Sequence, residues 1–225
     1  MQIIPTILEK NPAALLFQLK KLSSYFNHFQ IDIADGIFVP NRTPRVKQIW
    51  ETFSGGQYSF LNDFSFDFHL MVEDYQNEIE SIEALNKIVT IKNILLHASL
   101  SPNLSDLTLH TTAFSFGLVL NPEDEVKTIV QKYNLANIPF IQIMTVKPGF
   151  QGSSFQISLL NKIEQLRSLN YRNKIFLDGG INEETITLIL SQKYLPDVLC
   201  IGSYFTQSND IKRRKEKLIQ LIKSS

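Results

Sequence analysis

Eight short apolar runs recur along the 225-residue chain, and longer segments with the period of helices separate them. This alternation predicts a parallel sheet whose strands are joined by crossover helices. Eight such units match the (β/α)8 TIM barrel, an α/β fold that typically takes about 250 residues. The runs are residues 2–8, 29–35, 66–72, 93–99, 114–120, 138–146, 174–180 and 197–203.

The segments between the runs have recognisable helix starts. Asn11 is placed to cap a first helix with Pro12 in its first turn, and Asn182 precedes two glutamates that complement a helix dipole. An open doubly wound sheet is the alternative, but its usual GxGxxG turn is absent, because the first run ends in LEKNP. No Pro/Gly-rich linker divides the chain, so we expect one barrel domain over residues 1–225, with a surface loop at 54–63.

The charge balance argues against several classes of partner. Lysine plus arginine and aspartate plus glutamate number 22 each, so no net basic field attracts nucleic acid or an anionic membrane. The N-terminal stretch lacks the basic start of a signal peptide, and no run approaches the roughly 18 apolar residues of a membrane span. The single cysteine, Cys200, lies in the apolar run VLCIG and suits a buried thiol in a reducing compartment. We therefore expect a cytoplasmic protein with a small-molecule ligand.

Polar side chains are expected to meet at the carboxyl ends of the barrel strands, where barrel active sites lie. Period-2 alternation points Asp32 of the second strand, His69 of the third and Asp178 of the seventh towards the interior. Ionised aspartates there need partners, and a carboxylate, imidazole and carboxylate set suits a divalent metal ion. Each residue taken singly is better explained by a structural role, with Asp32 and Asp178 capping loop amides and His69 filling the core. Their convergence favours the metal site.

Glycines follow the last three strands and form the second half of the expected site. Backbone N–H groups in the loops after strands 7 and 8 of a barrel commonly bind a phosphate. Each glycine pair alone indicates only a turn, but together they indicate a phosphate ester as the ligand. The phosphate-binding candidates are Gly149, Gly152, Gly179, Gly180, Gly202 and Ser203.

Six motifs occur in an order and spacing that resemble the ribulose-phosphate 3-epimerase family over nearly the whole chain. As an ordered set they are highly specific, and the resemblance implies a barrel of the ribulose-phosphate-binding type. The motifs are IPTIL at 4–8, IDIADGIFVPN at 31–41, FHLMVED at 68–74, MTVKPGFQG at 144–152, LDGGIN at 177–182 and IGSYF at 201–205.

The resemblance implies a ketose-phosphate epimerase that interconverts ribulose 5-phosphate and xylulose 5-phosphate at C3. In this family two aspartates on opposite faces of the substrate act as acid and base, and they match Asp32 and Asp178. A divalent metal, whether Zn²⁺, Fe²⁺, Mn²⁺ or Mg²⁺, is implied with Asp32, His69 and Asp178 as ligands. The resemblance further assigns substrate contacts to Thr6, which stands for a serine, and to Met71 and Met144.

One residue departs from the implied metal site. The family's first histidine ligand, two residues before Asp32, is Gln30 here, which we expect to be a weaker ligand through its amide oxygen. Ala34 replaces a methionine and Ile37 a histidine in the same motif, and Gln151 replaces a glycine of the phosphate loop. These changes around the expected substrate site leave two alternatives to a pentulose-phosphate epimerase open.

The first alternative is an epimerase of the same mechanism for another ketose phosphate, such as a hexulose 6-phosphate. The second is a barrel that binds a sugar phosphate without catalysis, although such a barrel has no stability reason to keep a buried aspartate pair. We interpret His97 as a satisfied barrel-wall residue, and His28 and His110 as surface positions. Members of the family are often dimeric or larger, so a homo-oligomer stays open.

Overall fold

The strands pair in chain order, and the eighth closes on the first to complete a parallel barrel. The computed structural model describes residues 1–55, 59–149, 152 and 154–224. Each predicted apolar run contains one strand or most of it, which confirms the predicted (β/α)8 fold. The strands are β1 Gln2–Ile7, β2 His28–Ala34, β3 Ser65–Met71, β4 Thr90–His97, β5 Ser115–Leu120, β6 Phe140–Met144, β7 Lys174–Asp178 and β8 Val198–Ile201.

Helices follow the strands on the outside of the barrel, and both predicted caps are present. The side chain of Asn11 accepts from the N–H of Ala14, and that of Asn182 accepts from the N–H groups of Glu184 and Thr185. The α-helices are α1 Pro12–Leu22, α2 Val46–Phe53, α3 Tyr75–Leu85, α4 Leu104–His110, α5 Val126–Lys132, α6 Asn161–Ser168, α7 Glu183–Leu190, α8 Ser203–Thr206 and α9 Ile211–Lys223. Within the described ranges, no helix is both long and apolar enough to cross a bilayer.

Two separate sets of apolar side chains make up the core. Outward-facing strand residues pack against the helices, as Ile31 and Ile33 of β2 do. Inward-facing residues such as Leu95, Phe140 and Phe176 fill the barrel itself. Alternation along each strand separates the two sets, and inward residues at the last strand positions face the open end of the barrel.

Two sequence interpretations are wrong in detail. His28 is buried rather than on the surface, with Nε2 at 2.9 Å from Oδ1 of Asp67. Strand β2 begins one residue earlier than predicted, so alternation directs His28 inward together with Gln30. The expected surface loop at 54–63 includes a 3₁₀ helix at Ser59–Asp63 with Leu61 buried, although residues 56–58 lie outside the described ranges.

Candidate active site

Three titratable side chains meet at the carboxyl end of the barrel. Asp32 and His69 occupy paired positions on β2 and β3, and Asp178 is the last residue of β7. One potential ligand atom from each lies within 4.8 Å of the others, and all three side chains are buried. The structure thus brings together the three residues that the sequence singled out. Two carboxylates and an imidazole at this spacing fit a single divalent cation.

The two carboxyl groups are close enough to affect each other's protonation. His69 Nδ1 lies 3.2 Å from Oδ1 of Asp32 and 4.0 Å from Oδ2 of Asp178. Burial, and then the neighbouring Asp32 carboxylate, raise the pKa of Asp178 to about 7, while His69 and the Gln30 amide act in the opposite direction. A carboxyl group with this pKa is able to hold or release a proton near neutrality.

This raised pKa predicts a pH dependence of stability in the metal-free protein. Between the ordinary value of 3.8 and about 7, folded Asp178 keeps a proton that the unfolded chain has lost. The free energy of unfolding therefore falls as pH rises through this window, because the folded state binds more protons there. Thermal unfolding in chelator at several pH values measures the effect. Asp178→Asn should remove this part of the pH dependence, and an identical profile in the variant would contradict the assignment.

Two glutamine amides and a thiol lie beneath the carboxylates. Gln30 Nε2 donates to Oδ2 of Asp178 at 2.8 Å and to Oδ1 of Asp32 at 3.2 Å. Gln142 Nε2 donates to the same Asp178 oxygen at 3.2 Å, and the Cys200 thiol donates to Oε1 of Gln30 at 3.3 Å. If the Gln30 amide were turned by about 180°, its Oε1 would face the two carboxylate oxygens. These oxygens would repel it unless a cation lay between them. Metal binding by Gln30 through oxygen stays a prediction.

Gln142 was missed in the sequence, although a signal for it was present. It lies on β6 two residues before Met144, so alternation places both side chains on the inward face. The buried thiol expected for Cys200 is confirmed, and burial together with the nearby carboxylates raises its pKa well above the usual range. The thiol therefore serves here as a neutral donor.

His97 extends the site behind His69. The two Nε2 atoms are 2.9 Å apart, and both rings are fully buried inside the barrel. Burial and the adjacent His69 lower the pKa of His97 well below its usual value, and the side chain of Asn121 opposes this shift. The predicted barrel position of His97 is right, and the ring contacts a metal-ligand candidate, but its Nδ1 has no hydrogen-bond partner among the described residues, so the ring is not satisfied as expected. His110 is exposed, as expected.

A small cavity opens directly above the three titratable residues. The Thr6 hydroxyl at its edge is buried and has no hydrogen-bond partner among the described residues, so it is available to a ligand. Gln30 lies below the cavity and is fully buried. Besides Asp32, His69 and Asp178, the lining contains all the predicted substrate and phosphate candidates: Thr6, Met71, Met144, Gly149, Gly152, Gly179, Gly180, Gly202 and Ser203.

Two glycines of the lining have backbone conformations that other residues rarely adopt. Gly149 has φ +101° and Gly179 has φ +117°, and a Cβ at these positions would press against Val39 and Val146 respectively. The glycines therefore let the loop after β6 approach Val39 and the loop after β7 approach Val146 more closely than a side chain would allow. Of the other departures from the family motif, Ile37 is exposed and Ala34 is buried beside Met71. Gln151 lies outside the described residues.

Comparison with known proteins identifies the family of the chain. A sequence model described as the ribulose-phosphate 3 epimerase family matches residues 2–206. A ribulose-phosphate 3-epimerase of Helicobacter pylori strain J99 is 27% identical over 97% of this chain and 96% of its own length. The enzyme of the same name from Methanocaldococcus jannaschii is 30% identical over 84% of this chain and 77% of its own length.

Solved structures share the fold at much lower identity. The 3-hexulose-6-phosphate synthase from Salmonella typhimurium has a TM-score of 0.66 and 14% identity, covering 100% of this chain and 99% of its own. KGPDC from Streptococcus mutans, solved in complex with D-R5P, has a TM-score of 0.64 and 11% identity, covering 99% and 97%. At these identities the likeness is one of fold alone.

Proposed function

Because this chain belongs to the ribulose-phosphate 3-epimerase family and is an isomerase, we propose that it interconverts D-ribulose 5-phosphate and D-xylulose 5-phosphate at C3. The main support is the pair of buried carboxyl groups, Asp32 and Asp178, that meet His69 at the floor of a single cavity. Inversion at a carbon requires one group that removes a proton and another that delivers one to the opposite face. The two aspartates supply this pair.

The proposed reaction balances with these two residues alone. One carboxylate takes the C3 proton, and the electron pair of the C–H bond moves into an enediolate of the substrate. The other carboxyl group then gives its proton to the opposite face of C3, and the carbonyl reforms. The reverse reaction exchanges the two roles, so the aspartates must alternate between protonated and ionised states. The pKa of Asp178, raised to about 7, suits such exchange near neutral pH.

We propose that Asp32, His69 and Asp178 hold one divalent metal ion, with Gln30 as the expected weaker fourth ligand. The donor chemistry fits, since two carboxylates and an imidazole nitrogen within 4.8 Å are suited to Zn²⁺, Fe²⁺, Mn²⁺ or Mg²⁺. When bound, the ion supplies positive charge that stabilises negative charge on the substrate oxygens. Burial of two aspartates next to each other is otherwise costly, which further supports a cation here.

The phosphate of the substrate is proposed to bind at the glycine-rich rim. Backbone N–H groups of Gly180, Gly202 and Ser203 are suitable donors to an anion, and these residues line the cavity on the side of β7 and β8. The related barrel solved with D-R5P supports a sugar phosphate as ligand for this fold. The cytoplasmic location, the single-domain organisation and a homo-oligomeric assembly stay predictions.

A coupled assay of the purified protein tests the proposed activity. The protein is stripped with chelator and resupplied separately with Zn²⁺, Fe²⁺, Mn²⁺ and Mg²⁺, and turnover of ribulose 5-phosphate is compared with that of a hexulose 6-phosphate. We expect metal-dependent turnover of the pentulose phosphate. Preference for the hexulose phosphate would make Ala34 and Ile37 adaptations to another substrate. Inactivity of folded protein with every ion and both substrates would favour a barrel without catalysis.

A further inference from the structure

We propose that His97 and Asn121 fix the tautomer of His69, so that its Nδ1 presents a lone pair to the metal ion. This inference rests on the proposed metal site. His97 would be a positioning residue, since it contacts neither the cavity nor the two carboxylates. The effect of such a residue is to orient the ligand and set which of its nitrogens bears the proton.

The contact between the two histidines restricts where their protons lie. Their Nε2 atoms are 2.9 Å apart, and a hydrogen bond between imidazole nitrogens needs one N–H and one lone pair. His69 Nδ1 faces the carboxylates, at 3.2 Å from Asp32. For Nδ1 to bind a cation, the proton of His69 must be on Nε2. His97 must then accept it with Nε2 and carry its own proton on Nδ1.

Asn121 provides the acceptor that this arrangement requires. It follows β5 directly and lies two residues after Val119, the register partner of His97 on β4, so alternation gives Asn121 the same inward face as Val119. His97 Nδ1 and Asn121 Oδ1 are both buried, and neither has a partner at hydrogen-bond distance among the described residues. Nδ1 of His97 can donate and Oδ1 of Asn121 can accept, so a small side-chain rotation would join them in a hydrogen bond and satisfy both.

The backbone of Asn121 is held firmly enough to support this role. Its N–H donates to Oδ2 of Asp124 at 2.7 Å, and its carbonyl accepts from the ammonium of Lys162 at 2.6 Å. Lys162 also donates to the carbonyls of Pro122 and Asp124, so one buried cation fixes the whole turn after β5. The Asn121 amide therefore has a fixed place from which to receive the proton of His97.

Nuclear magnetic resonance of protein with ¹⁵N-labelled imidazoles tests the inference directly. The chain has four histidines, so single substitutions assign every ring. In the Zn²⁺-loaded protein we expect a metal-shifted Nδ1 and a protonated Nε2 for His69, and a proton on Nδ1 of His97. A proton on Nε2 of His97, or no Zn²⁺-dependent shift at His69, would overturn the inference.

Metal affinity gives a second, independent readout. Asn121→Leu removes the acceptor and should weaken Zn²⁺ binding by about tenfold, whereas Asn121→Asp keeps an acceptor oxygen and should retain most of the affinity. His110→Ala, which removes an exposed histidine, is the matched control. Equal affinity of Asn121→Leu and the unsubstituted protein would contradict the proposal. Absence of turnover together with the expected tautomers would count against the proposed function alone.

Discussion

Replacing Asp178 by asparagine is expected to lower kcat for ribulose 5-phosphate by about 10³-fold, the usual loss when an essential acid or base is removed. Asparagine keeps the size of the side chain but neither takes up nor gives a proton. The buried position of Asp178 leaves little room for water to act in its place. Initial rates in the coupled assay, with saturating metal, measure the effect.

Asp67→Asn is the matched control for this substitution. Asp67 is also a buried, inward-facing aspartate of the barrel, but its Oδ1 lies 2.9 Å from Nε2 of His28 and accepts from the amide of Asn93, and it does not line the cavity. We expect its turnover to stay within a few-fold of the unsubstituted enzyme, since general acid–base losses concern groups that reach the substrate. Retention of more than about a tenth of the activity in Asp178→Asn would contradict the role assigned to Asp178.

Replacing Gln30 by histidine is expected to raise the affinity for a divalent metal by about tenfold or more. The Gln30 nitrogen, which has no lone pair for a metal, faces both carboxylates in the present arrangement. An imidazole offers a neutral nitrogen ligand at the same position and removes donors that hold the carboxylates without a metal. Titration of Zn²⁺ against a competing chelator measures the change.

Gln131→His, on the exposed face of α5, controls for metal binding by any added histidine. We expect no change in affinity for this control. An unchanged or lower affinity of Gln30→His would mean that position 30 lies outside the reach of the ion, or that the amide oxygen is already the better ligand.

The Gln30 and Gln142 amides have a consequence for the metal-free enzyme. The neighbouring carboxyl groups of Asp32 and Asp178 disfavour each other's ionised form. In the metal-free site the Gln30 amide donates hydrogen bonds to both of them, and the Gln142 amide donates to Asp178. Charge-assisted hydrogen bonds of this kind are roughly twice as strong as neutral ones. These hydrogen bonds therefore hold the two carboxyl groups in place before a metal binds. The glutamine that bonds to both, Gln30, replaces a histidine, which is a stronger metal ligand.

Strand alternation made the fold and the centre of the site predictable. Alternation points Asp32, His69 and Asp178 into the barrel, and their late positions in parallel strands place them at the same end. Parity fails where a strand boundary is misplaced by one residue, which is why the burial of His28 was missed. Boundaries are the least certain part of any pattern-based assignment.

The polar contacts behind the site were not predictable in the same way. The pairing of His97 with His69 and Asn121 depends on the register of three neighbouring strands and on side-chain rotation. A sequence pattern specifies neither of these. The orientation of the Gln30 amide likewise depends on donors and acceptors from β7 and β8, far away in the chain.

The most direct test of the central claim is proton exchange at C3 of the substrate in D₂O. If Asp32 and Asp178 remove and return the proton, xylulose 5-phosphate formed from ribulose 5-phosphate carries deuterium at C3, because carboxyl protons exchange with solvent. Mass spectrometry of the product from metal-loaded enzyme measures this label. Xylulose 5-phosphate without deuterium at C3, or no product from folded, metal-loaded protein, would contradict the account.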